Sequence, residues 1–257
     1  MLTPGAPVEE LFCELVAIPS PSGHERAVGE AIAEWLAGAG VDAAFDGAGA
    51  ENGSDAGNLI ARVPGAPDAP VLLFVAHMDT VESGAEAVAP VTGDDGVIRS
   101  AGDTILGADN KSAVAAVMRT LARAAAATGG STATGGSTAA GTTGRPLVVG
   151  AFTCREEAGR MGVSLLDPAL VAEVDCAFAV DGSSPIGTVI TRALGQQVFS
   201  VLVHGRAAHA AADPGAGVSA IAVAAEAIGA MELGRLPGGG SASIASIAGG
   251  ALLDHLG

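Results

Sequence analysis

The chain has 257 residues, of which 49% are hydrophobic and 3% aromatic; 12 Lys+Arg against 28 Asp+Glu leave a formal net charge of -16. That length suits one large domain or two smaller ones, and the acidity argues against nucleic acid or an anionic membrane as partner. No apolar run approaches the ~20 residues of a membrane helix, MLTPGAPVEELF lacks the basic start and apolar core of a signal peptide, and the three scattered cysteines fit neither a disulfide framework nor a Cys-rich zinc motif. A soluble, cytoplasmic chain is expected.

In chain order, the pattern predicts helices over 8–17 and 25–37, the second opened by the turn and cap signals in PSPSGHE. Strands are predicted at 58–63 (NLIARV) and 71–76 (VLLFVA), then a helix beginning near Asp109 with Val114, Val117, Met118 and Leu121 on one face. A Gly/Ser/Thr tract over about 126–144 reads as a flexible surface insertion. Residues 147–153, 176–180 and 188–193 read as further strands. Alternating strands and helices indicate an α/β sheet. After Gly195 the character changes: QQVFSVLVHG alternates as a half-exposed strand, a turn-rich loop and a helix from Val218 follow, and 242–248 suit another strand. The predicted domains are 1–194 and, smaller and α+β, 195–257.

His77 and Asp79 end an apolar strand in VLLFVAHMDTV, two apart and so on one side. An imidazole with a carboxylate close behind supplies a metal ligand and the partner that sets its tautomer. Glu156, Glu157 and Asp181 also follow apolar strands directly, and Asp109 opens a helix. In open α/β sheets ligands lie off the carboxyl ends of the strands, so this shared placement carries more weight than any one motif. Five carboxylates converging on one pocket repel unless cations neutralise them. Mixed histidine and carboxylate ligands suit two zinc ions, and manganese or cobalt also. Of the adjacent glutamates in CREEAG, one would ligate and the other would move a proton from water to the leaving amine.

The segments VAHMDTV, GDTILGADNKS, VVGAFTCREEAG, AVDGSSPIGTV and GRAAHAAADPGAGVSAI, in this order, resemble the peptidase T-like zinc aminopeptidases. The wider superfamily includes aminoacylases, acetylornithine deacetylases and carboxypeptidase G. The resemblance covers about residues 8–250 and implies a three-layer catalytic domain, a central mixed sheet flanked by helices, carrying an inserted α+β lid or dimerisation domain. It implies that His77, Asp109 and Asp181 hold one zinc, with Asp79 orienting His77. Asp109 would bridge to a second zinc held by Glu157, and Glu156 would be the general base. His209, in the lid, would reach the neighbouring subunit's site in a homodimer and stabilise the oxyanion. The implied substrates are short peptides; N-acyl amino acids cleaved by a deacylase, a carboxypeptidase activity, or an inactive one-metal fragment are the alternatives. Family chains return to the catalytic domain after the lid and there supply the last histidine of the second zinc, whereas this chain stops at GGALLDHLG. The resemblance therefore implies a C-terminally truncated member, incomplete in both domains, with weak or no turnover. Asp254 stands at the usual Asn position, and His255 is not assigned as the missing ligand.

Overall fold

A computed structural model describes residues 1–81, 87–128, 144–182, 184–193, 195–209 and 212–250. The chain divides into two compact units, Met1–Ser183 and Ser184–Gly257. The first unit opens with helices α1 (Val8–Val16) and α2 (Arg26–Gly38), strand β1 (Ala43–Phe45), the short helix α3 (Ala48–Asn52) and strand β2 (Leu59–Val63). Strand β3 (Val71–His77), the hairpin strands β4 (Pro90–Thr92) and β5 (Ile98–Ser100), and helix α4 (Ala108–Thr128) follow. Strand β6 (Leu147–Thr153), helix α5 (Pro168–Ala172) and strand β7 (Cys176–Ala179) complete it.

The sheet order is β1-β2-β6-β3-β7. Strands β6, β3 and β7 run parallel, with His77 level with Thr153, while β2 pairs antiparallel with β6 and β1 antiparallel with β2. Alternate residues serve opposite faces, as the pleat requires. Ala76, Val148 and Phe152 join Leu11, Leu15, Ile32, Leu36, Val114 and Met118 in the larger core, beneath α1, α2 and α4. Leu73, Val149 and Ala151 pack with Leu166 and Leu170 on the other face. Gly150 lets α4 come close: a Cβ there would stand 2.7 Å from Leu121 Cδ1.

Four of the predicted strands meet their expectation closely, at 59–63, 71–77, 147–153 and 176–179. The start of α2 differs from expectation in its cap. No side chain of PSPSGHE caps it; the Asp55 carboxylate accepts from Arg26 N instead, at 2.9 Å. Helix α4 is regular only from Lys111, because Asp109 and Asn110 have non-helical backbone and are joined by a cis peptide bond. The predicted insertion lies, for 129–143, outside the described residues.

The second unit holds helix α6 (Ala220–Gly229), whose N-cap Ser219 accepts from Ala222 N at 3.1 Å. It also holds a two-residue hairpin, β8 (Gly234–Arg235) with β9 (Ser241–Ala242). Here the sequence expectations need correction. Residues 188–193 and 196–205 form no strand among the described residues, and of 242–248 only Ala242 lies in one. An alternating apolar pattern prepares a face, but a strand exists only where a neighbour takes its N–H and C=O groups. No helix among the described residues is long and apolar enough to cross a membrane.

Candidate metal centre

The carboxyl ends of the three parallel strands meet at one edge of the sheet, and β3 lies between the other two. His77 closes β3, residues 154–157 continue β6, and Asp181 follows β7. The amino end of α4 completes the edge. There Gly107, at φ +72°, makes a turn that L side chains rarely adopt, with Thr80 Cγ2 3.2 Å from where a Cβ would be. Asn110 donates to the carbonyl of Val180 at 2.9 Å and so ties this turn to the residue preceding Asp181.

His77 is 2% exposed. Its Nδ1 lies 2.9 Å from the carbonyl oxygen of Asp79 and 3.3 Å from Asp79 Oδ1. Both neighbours only accept, so the Nδ1 proton is held there and Nε2 is turned outward. Asp109 Oδ1 stands 3.0 Å from Nε2 and Asp181 Oδ2 stands 3.8 Å from it. Burial opposes a charged imidazole. The hydrogen bond and charge of Asp79, with Glu156 and Asp181 behind, outweigh that and raise His77 to about 9.

Asp79 is fully buried. Its carboxylate accepts from Ser22 Oγ at 2.5 Å, Glu156 N at 2.9 Å and Glu157 N at 3.1 Å. Burial alone would raise its pKa, but the hydrogen bonds from His77, Ser22 and Glu156 N hold it below the usual carboxylate range. Glu156 sits near Arg160, whose Nε is 3.4 Å from Oε1. Glu157 is pushed above the ordinary range by partial burial, and the charges of Asp109, Glu156 and Asp79 add to this against the opposing charge of His77.

Ligand atoms of His77, Asp109 and Glu157 lie within 4.8 Å of one another, as do those of His77, Glu156 and Asp181. One imidazole and four mutually repelling carboxylates form a donor set that suits divalent cations. The fit is also seen in exposure: Asp109 and Asp181 side chains are 72% and 40% exposed, turned to the open side of a buried histidine. Six of the seven sequence-predicted residues therefore come together at this edge. His209 belongs to the second unit; it is exposed, and its Nδ1 accepts from Ala212 N at 3.2 Å. Asp254 and His255 lie outside the described residues.

Sequence reasoning missed the supporting residues. Ser22 bonds Asp79 across 57 positions, and Ser20 Oγ donates to Met78 O at 2.8 Å. Lys111, the only lysine in the chain, is buried, with Nζ 3.1 Å from Leu15 O and 2.7 Å from Ile18 O at the end of α1. Burial lowers it to about 8.

Comparison with known proteins bears on this geometry. Residues 194–254 match the peptidase dimerisation domain of the M20 type. The chain is 32% identical over 241 residues to the uncharacterised protein YqjE of Bacillus subtilis (strain 168), a match covering 94% of this chain and 60% of that protein. Among solved structures it is similar to a tripeptidase from Staphylococcus aureus subsp. aureus Mu50. The TM-score is 0.70 at 30% identity, with 96% of this chain and 61% of that one covered. Aminopeptidase PepT from Bacillus cereus ATCC 10987 matches with a TM-score of 0.67 at 27% identity, covering 96% of this chain and 62% of that one. The chain thus spans about three-fifths of the length of these relatives.

Proposed function

We propose that this chain, which shares its fold with tripeptidase- and PepT-type M20 peptidases, serves metal-dependent hydrolysis of amide bonds in short peptides. The observation that carries the reading is the pair of ligand clusters sharing His77 at the carboxyl edge of the sheet. His77, Asp109 and Asp181 would hold one divalent cation, and Asp109 with Glu157 a second, zinc being the metal best suited to the set. Bound there, the cations would acidify a water and polarise the peptide carbonyl. Glu156 is held by its own amide on Asp79, so its carboxylate can take a proton from water and return it to the leaving amine. Asp79 keeps the His77 proton on Nδ1. The match of residues 194–254 supports a homodimer formed through the second unit, with His209 aiding the partner's site.

The test is Zn2+ binding by the 257-residue chain, with release of the N-terminal residue from tripeptides. Binding should be lost in His77→Ala, and N-acyl amino acids should be left intact. Cleavage of N-acyl amino acids without tripeptide turnover would assign a deacylase instead. A chain that takes up no metal would end the reading.

A further inference from the structure

Glu25 stands outside every role given so far, yet it is fully buried. It comes from the turn before α2, and its carboxylate reaches across 130 positions to the loop after β6. Oε1 accepts from Arg155 N at 2.9 Å and from Gly23 N at 2.8 Å, and Oε2 accepts from Ser54 Oγ. A carboxylate with three donors on it cannot swing. What it holds is an unfavourable turn: Arg155 has φ 51°, outside the range most side chains adopt. The Arg155 side chain adds to the cost, since Nη1 donates to Asn52 O while the buried Nε has no partner among the described residues.

The next two amides, Glu156 N and Glu157 N, end on the Asp79 carboxylate. Three successive N–H groups are therefore taken by two buried carboxylates, one from the segment before α2 and one from the end of β3. Met161 N also donates to Arg155 O, at 3.0 Å, but the Arg155 amide itself, next before the two that end on Asp79, is taken by Glu25. We propose that Glu25 is a positioning residue for the glutamate pair: its buried carboxylate sets the turn from which Glu156 and Glu157 project. This rests on the roles given to those glutamates above. Position, not charge, is the quantity supplied. A glutamine could accept from Arg155 N and Gly23 N in the same place and donate to Ser54 Oγ, whereas an aspartate is one methylene too short to reach.

The test compares wild type, Glu25→Gln, Glu25→Asp and, as a folded control, Asp167→Ala, which removes the N-cap of α5 away from this loop. Each full-length variant is checked by thermal unfolding and then titrated with Co2+, read by visible absorption and by affinity. Glu25→Gln and Asp167→Ala should match wild type within about twofold, and Glu25→Asp should bind about 10–100-fold more weakly with an altered spectrum. Where tripeptides are turned over, Glu25→Asp should lower kcat with KM unchanged. A folded Glu25→Asp with wild-type affinity and spectrum overturns the proposal. So does Glu25→Gln with a large loss, which decides the matter even if the aspartate variant does not fold. Wild type that binds Co2+ but cleaves no peptide sinks the functional reading and leaves the Glu25 comparison intact; wild type that binds no Co2+ sinks both.

Discussion

The two units use a similar share of apolar residues to opposite effect. In the first, the sheet is sandwiched between two cores, and side chains such as Leu11, Ile32, Met118 and Phe152 are fully enclosed. In the second, no described residue is buried, and Val198, Phe199 and Leu202 stand about four-fifths exposed, at 84%, 79% and 80%. Hydrophobic composition therefore does not make a core. A core needs a second layer to receive the apolar face, and β3 and β6 of the first unit have one on each side, whereas β7 is exposed along its length.

Hydrogen exchange should break or sharpen this contrast most directly. Amides of β3, β6 and α4 should open only with global unfolding, whereas those of 195–205 should exchange nearly unprotected, a difference of about 10⁴-fold or more. Comparable protection in both stretches would show that the second unit has a core after all. Substitution comes next. Phe152→Ala should cost ~3–5 kcal/mol in chemical denaturation, while Phe199→Ala should stay within about 0.5 kcal/mol. A large effect of Phe199→Ala would reveal a covered site.

Lys111→Met should have a smaller effect, costing about 1–3 kcal/mol, because two carbonyls at the end of α1 lose their donor. The last effect is a titration. Lys111 is the only lysine and the chain has no tyrosine, so its side-chain carbon resonance can be followed alone. Its midpoint should lie near 8 instead of 10.5. A lysine depressed on folding binds fewer protons than the unfolded chain between those values. Its contribution to stability therefore rises with pH from about 8 to 10.5 and is lost as the pH falls back through that window. A midpoint near 10.5 would show that the α1 carbonyls compensate the burial fully.

Much of the site was legible because its residues follow apolar strands: His77 after VLLFVA, Glu156 and Glu157 after LVVGAFT, Asp181 after CAFAV. Strand ends of parallel sheets are where ligands bind, so local pattern was enough to nominate them. Ser22, Glu25 and Lys111 were not legible in this way. Their partners lie 57, 130 and 96 positions away, and nothing in a short window records such contacts. The failed strands at 188–193 and 196–205 have the opposite cause. Their local pattern was right for a strand, but the hydrogen-bonding neighbour that makes one is absent among the described residues.

From sequence alone came the identities of the ligand candidates, the strand ends that carry them, and the acidity that calls for a cation. Only the tertiary structure decided that Asp109 lies nearer than Asp181 to the outward nitrogen of His77, at 3.0 Å against 3.8 Å. It also decided that Asp79 and Glu25 together seat the glutamate loop. Local pattern reports which face and which end a side chain occupies. The distances between such ends depend on strand register and on how α4 packs against the sheet, which the whole chain settles at once.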